Sequence, residues 1–138
     1  MKIILFDDAS RENLLPLTFT RPVAQLRIGI LTIAEKWEKY FNAEISYFTE
    51  DYLQEKFPLN LSDSNWFVNG SICPDEDLLE ALSNLPVGDA LFFNTLLVAV
   101  KLNKTEAAEF NYQTSKYKPI AYPKAITRIS FPEDIFNF

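Results

Sequence analysis

The first apolar run is short and unbroken: Ile3 to Phe6, four hydrophobic residues stopped by Asp7-Asp8. A continuous run of that length predicts a strand buried on both faces, as parallel sheets use. Residues 9–30 keep neither period. Pro16 and Pro22 interrupt them, and they read as a long loop. The helical period then begins. Thr32-Ile33-Ala34-Glu35 has the form of a capping box, and Ile33, Ala34, Trp37, Tyr40 and Phe41 recur on one face, which predicts a helix near 32–42.

Glu44 to Phe48 alternates and predicts a strand. Thr49 is placed to cap a short helix, with Glu50 and Asp51 in its first turn, Tyr52, Leu53 and Phe57 facing inward, and Pro58 at its end. Trp66 to Val68 predicts another short buried strand, stopped by Asn69-Gly70. Pro74 suits the first turn of a helix whose Asp75, Glu76 and Asp77 complement its dipole and whose Leu78, Leu79 and Leu82 form its apolar face. Ala90 to Leu102 is too long for one strand, and Asn94-Thr95 divides it as a hairpin or marks a bulge. Asn103 or Thr105 caps a weak helix through Phe110. Residues 111–125 read as a loop, and Ile126 to Phe131 alternates as a last strand.

Strand and helix alternate at short spacing in the first half, which predicts an α/β domain with a mainly parallel sheet. The 138 residues suffice for one domain with a core. The apolar ending at Asn137-Phe138 reads as a cut rather than a natural terminus. The expectation is therefore an incomplete domain whose exposed apolar surface is covered by self-association, a homo-oligomer.

Composition narrows the chemistry. The net charge is −6, so the bulk field attracts neither a nucleic acid polymer nor an anionic membrane, and an anionic ligand needs a local basic site. One cysteine excludes an internal disulfide, and the absence of histidine removes Ser–His and Cys–His dyads and imidazole zinc sites. Cys73 reads as a packed small hydrophobe. The leading apolar run is too short for a signal peptide, and no run approaches a membrane span, so a cytoplasmic protein is expected.

The basic residues are unevenly placed. Three of the four arginines, Arg11, Arg21 and Arg27, fall within residues 9–30, against one acidic residue, Glu12. Ligands of open α/β sheets bind beyond the carboxyl ends of the strands, which is where this loop begins. Arginine forks suit phosphate oxygens. The structural alternative is that these arginines pair with the abundant carboxylates. Asp7-Asp8 has the same two readings: a ligand for a metal or ribose, or a turn cap and partner for Arg11, with one of the two expected to be structural. Asn69-Gly70 is a turn signal and, at a strand's carboxyl end, a further site candidate.

These residues carry a resemblance. Pro16-Leu17-Thr18-Phe19-Thr20-Arg21-Pro22, following Ile3-Ile4-Leu5-Phe6 and preceding the capped helix, has the P-L-T-x-x-x-P spacing of the sugar nucleotidyltransferase family. The longer run from Phe6-Asp7-Asp8 through Trp37 resembles a divergent branch found in Bacteroidota, similar to the N-terminal domain of N-acetylglucosamine-1-phosphate uridyltransferase-like proteins. The likeness is strong over 3–42, fair through 68–82 and loose beyond. It implies a Rossmann-like three-layer fold, with a mixed, mainly parallel sheet. It implies transfer of a nucleotidyl group from a nucleoside triphosphate to a sugar-1-phosphate, with Mg²⁺ as cofactor. Full-length relatives carry a further left-handed β-helix of hexapeptide repeats; no such repeats occur here.

On this resemblance Arg11 and Arg21 are the expected catalytic cations. Asp8, Asn13, Thr18, Arg27, Asn69 and Gly70 are the expected nucleotide- or phosphate-binding residues. The chain also departs from the family pattern. Asp7 to Asn13 holds no glycine, Asn13 stands at the loop's arginine position, Val23 replaces the lysine after the second proline, and Ser71 follows Asn69-Gly70 where an aspartate would ligate metal. Two functions stay open: transfer, or an inactive domain that binds a sugar nucleotide or serves as an assembly module.

Overall fold

The computed structural model describes residues 2–8, 10–15, 17–18, 20–28, 31–110 and 117–129. Strand β1 (Lys2–Phe6) sits inside the sheet, and its side chains alternate between two cores. Ile3 and Leu5 enter one, Ile4 and Phe6 the other, and all four are at most 1% exposed. That two-sided burial is what an unbroken apolar run requires.

A single turn, α1 (Ser10–Asn13), follows β1, then a 3-10 turn at Val23–Gln25 and a two-residue ribbon, β2 (Arg27–Ile28) against β3 (Leu31–Thr32). The expected long loop therefore contains short pieces of structure. Helix α2 (Ile33–Phe41) starts with the expected capping box: the Glu35 amide donates to Thr32 Oγ1 at 3.1 Å, and the Thr32 amide donates to Glu35 Oε1 at 3.0 Å. Asn42, at φ 48°, closes the helix in the left-handed conformation that asparagine tolerates. Trp37 is fully buried on its inner face, and its indole donates to the Ile72 carbonyl at 2.9 Å, so the large ring is buried without an orphaned donor.

Strand β4 (Glu44–Phe48) pairs parallel with β1. The helix expected after Thr49 is a 3-10 turn, Asp51–Leu53, entered from Glu50. Leu53 points inward as expected; Tyr52 does not, being 61% exposed, because its hydroxyl is turned toward Arg11. Strand β5 (Ser64–Asn69) lies parallel to β1 on its other side and ends at Asn69-Gly70 as expected. After β6 (Ile72–Cys73), helix α3 (Glu76–Ser83) takes Asp75 as N-cap, whose side chain accepts from the Leu78 amide at 2.8 Å. Pro74 thus precedes the cap rather than occupying the first turn.

Residues 89–103 form the expected hairpin: β7 (Asp89–Phe93), a turn with Asn94 at φ 55°, and β8 (Leu96–Asn103), with an irregularity at Leu91/Phe92. Asn103 caps α4 (Lys104–Ala107). Strand β9 (Lys118–Ala121) overturns the expectation of a loop through 125, while residues 111–116 lie outside the described residues. The last expected strand appears as β10 (Thr127–Arg128), antiparallel to β6, with residues 130–138 outside the described residues.

The main sheet has the order β4-β1-β5-β8-β7-β9, with β8 running against the rest. Helices α2 and α3 pack through Trp37, Leu78 and Leu82 on the sheet face that carries Leu5 and Val68. Ala107 of α4, with Phe110 and Tyr117, covers the face carrying Phe6 and Phe67, where Phe110 stacks on Phe67 at 4.1 Å between ring centroids. The result is the expected three-layer, Rossmann-like α/β arrangement with a mainly parallel sheet. No helix among the described residues is long and apolar enough to cross a membrane.

Candidate functional site

From β1 the chain crosses through α2 to β4 on one side, and β5 lies on the other. The connections diverge there, so the carboxyl ends of β1 and β5 form the switch point, the crevice position at which open α/β sheets bind ligands. Phe6 is in register with Asn69, so Asp7 and Asp8 emerge beside Asn69, Gly70 and Ser71.

Asp7 turns into the protein and anchors the loop. One carboxylate oxygen accepts from the Val23 amide at 3.0 Å; the other accepts from Thr49 Oγ1 at 2.6 Å and from Arg11 Nη1 at 2.9 Å. Burial pushes its pKa above the ordinary aspartate value, while the bonds from Thr49 and Val23 and the charge of Arg11 pull it down. Arg11, 5% exposed, is similarly enclosed. Its Nη1 also donates to the Arg21 carbonyl at 3.0 Å, and its Nη2 donates to the Thr18 carbonyl and to the Tyr52 hydroxyl, the latter at 2.8 Å. Its Nε lies 3.8 Å from Glu50. Thr18, fully buried, returns a bond from Oγ1 to the Arg11 carbonyl at 2.8 Å. Arg11 and Thr18 thus staple the segment between β1 and α2.

Asp8 turns the other way, into a closed polar ring. Its Oδ2 accepts from Asn69 Nδ2 at 2.7 Å and from Arg128 Nη2 at 2.8 Å. Asn69 also donates to the Leu97 carbonyl at 3.2 Å, and its Oδ1 accepts from the Ser71 amide at 3.0 Å and the Ser71 hydroxyl at 2.6 Å. Arg128 Nε donates to Ser71 Oγ at 3.0 Å and closes the ring. Asn69 and Ser71 are each 1% exposed, whereas the Arg128 side chain is 26% exposed and forms the outer wall. Gly70 lets the backbone turn against β1: its amide donates to the Phe6 carbonyl at 2.8 Å, and a Cβ there would lie 3.2 Å from that oxygen and 3.3 Å from Ala24 Cβ.

The expected site residues therefore separate. Asp8, Asn69 and Gly70 come together at the crevice. Arg11 and Thr18 lie in the stapled loop, and Asn13 is exposed at the end of α1. The Arg21 side chain is exposed and lines a separate recess with Thr20, Gln25, Lys56 and Phe57. Arg27 lies in β2, and its side chain falls outside the described residues. Sequence reasoning did not single out Arg128 or name Ser71 as a ring member. The available signals were that Arg128 is the fourth arginine, on an alternating segment, and that Ser71 directly follows Asn69-Gly70. Cys73 fits its expected role: burial pushes its thiol pKa up, only partly offset by Lys36.

The Rossmann-like sheet thus places a closed polar ring at its switch point, the position where open α/β sheets bind ligands. The chain belongs to the sugar nucleotidyl transferase family, whose family model, "Sugar nucleotidyl transferase", matches residues 3–138. Comparison with curated proteins finds no match. Among solved structures it is similar to a Bacillus anthracis protein assigned as a glucose-1-phosphate thymidylyltransferase, crystallised in complex with a sucrose. That similarity has a TM-score of 0.52 at 11% identity, covering 99% of this chain and 93% of the other, and it shows a shared fold.

Proposed function

We propose that the crevice over β1 and β5 binds a nucleoside triphosphate and a sugar-1-phosphate and that the domain transfers the nucleotidyl group between them. In that reaction a phosphate oxygen of the sugar-1-phosphate bonds to the α-phosphorus of the triphosphate. The bond from that phosphorus to the β-phosphate bridging oxygen breaks, and pyrophosphate leaves with the electron pair. The observation that carries this reading is the Asp8–Asn69–Ser71–Arg128 ring at the switch point. Arg128 is its most exposed member, and its guanidinium offers the fork that phosphate oxygens take. Asn69 and Ser71 hold that fork in place from below. Asp8 keeps it aimed until a substrate phosphate replaces the carboxylate as its partner. Arg11 and Thr18 act on this reading by fixing the loop rather than by touching phosphate.

Members of this family generally use Mg²⁺. The residues at this crevice do not fit a protein-held Mg²⁺. They supply one carboxylate, Asp8, whose Oδ2 already accepts from Arg128 and Asn69, and no group of three His, Cys, Asp or Glu suited to a metal occurs among the described residues. That donor set favours a second reading, a domain that binds a sugar nucleotide without turnover.

Pyrophosphate release, assayed over the common nucleoside triphosphates paired with a panel of sugar-1-phosphates, separates the two. Turnover with at least one pair is expected, falling at least tenfold in Arg128→Gln. Micromolar binding of a sugar nucleotide with no release from any pair would replace transfer by binding.

A further inference from the structure

The carboxylates of this chain outnumber its Lys and Arg side chains, 19 to 13. A cation without an acidic partner is therefore a notable feature, and two of them meet in one recess. Arg21 and Lys56 line a cavity of about 270 Å³ with Thr20, Gln25 and Phe57, and no carboxylate is among the described lining residues. Both side chains are exposed, and neither makes an ion pair among the described residues, whereas Arg11 and Arg128 do. Lys56 Nζ sits 5.5 Å from the centroid of the Phe57 ring, and Phe57 packs edge-on to Tyr47 at 5.4 Å, which fixes that wall. Gln25 donates to the hydroxyl of the same Tyr47, which holds its side chain. The main chain under Arg21 is held because Arg11 Nη1 takes the Arg21 carbonyl and the Asp7 carboxylate together. The recess thus presents two charged donor groups and a hydroxyl on a braced frame, with no carboxylate among its described lining residues.

We propose that this recess is a separate anion site that takes an oligophosphate, with Arg21 and Lys56 gripping it from two sides. Arg21 supplies a planar fork for two oxygens, and Lys56 supplies a point charge for a third. The volume sets the size of the ligand. Sites for drug-sized molecules run from roughly 300 to 1,000 Å³, so this recess holds a small oligophosphate or the phosphate end of a larger ligand, not a whole nucleotide sugar. The proposal does not rest on nucleotidyl transfer at the crevice.

The test is isothermal titration of the full chain with inorganic pyrophosphate, inorganic phosphate and a nucleoside triphosphate. Pyrophosphate is expected to bind more tightly than phosphate. Arg21→Gln and Lys56→Gln are each expected to weaken pyrophosphate binding about tenfold, and the double variant to abolish it. Lys118→Gln, an exposed cation on β9, is expected to leave it within twofold. If the triphosphate competes with pyrophosphate and weakens in step with it across the variants, the natural source is a nucleotide's phosphate tail. If it does not, the source is the free anion. The proposal is overturned if the wild type binds no pyrophosphate, if the double variant binds it unchanged, or if Lys118→Gln weakens it as much as the other two. A protein that turns over no substrate pair yet binds pyrophosphate through Arg21 and Lys56 would lose the transfer reading and keep this one.

Discussion

Asp7 and Asp8 are chain neighbours with opposite surroundings, and their difference organises the site. Asp7 is held by Val23, Thr49 and Arg11, whereas Asp8 faces Asn69 and Arg128. For Asp7 burial outweighs those partners, so its folded pKa lies above the ordinary 3.8. An acid that binds its proton more tightly when folded contributes stability fully present below the unfolded value, and loses it as pH rises through the folded value. Carbon-detected NMR titration is expected to give Asp7 a midpoint above 3.8, and the wild type is expected to lose more stability than Asp7→Asn as pH rises across that window. A midpoint below 3.8 would mean that Arg11 and the hydrogen bonds outweigh burial. That Asp8, Asn69 and Gly70 come close together was legible in the sequence because they stand just past two short apolar runs, at strand ends of one sheet. Arg128 was not legible as a site residue. It lies 120 positions from Asp8, and only the pairing of β10 with β6 brings it back. The gathering of Arg11 with Arg21 and Arg27 was visible, but charge counting could not show that Arg11 is buried against Asp7.

Elements with strong local signals form where the pattern puts them. The capping box of α2 is the clearest, because Thr32 and Glu35 satisfy two helix-end donors within four residues. Thr32→Ala is expected to cost about 1 kcal/mol, read as a lower urea midpoint with an unchanged slope. A change below a few tenths of a kcal/mol would assign the start of α2 to packing instead. The element least visible in the sequence is β9. Lys118-Pro119-Ile120-Ala121 lacks a clean alternation and carries a proline, which argues against an interior strand. It forms at the end of the sheet order, beyond β7, where a proline's missing donor is tolerated. The turn at Asp51–Leu53 shows the other kind of override. Tyr52 fits an inward helical position by spacing, yet its hydroxyl serves Arg11 and the ring stays exposed.

At the scale of the whole molecule, one sheet positions both candidate ligand regions. β1 and β5 bring Asp8 and Asn69 to the crevice, and the segment that Asp7 and Arg11 staple carries Arg21 to its own recess. The α/β class was legible because buried strands and capped helices alternate along the first half. The order of the second half was not, since β8 inserts between β5 and β7 and alone runs against the sheet, and β9 follows residues without a period. The central claim, that ligand sits over β1 and β5, is tested most directly by amide chemical-shift mapping. The full chain would be titrated with a panel of sugar-1-phosphates and a nucleoside triphosphate. Saturable shifts centred on Asp8, Asn69, Gly70, Ser71 and Arg128 are expected, and they disappear in Arg128→Gln. Saturable shifts confined to α3 and β9, with those five amides unmoved, would contradict it.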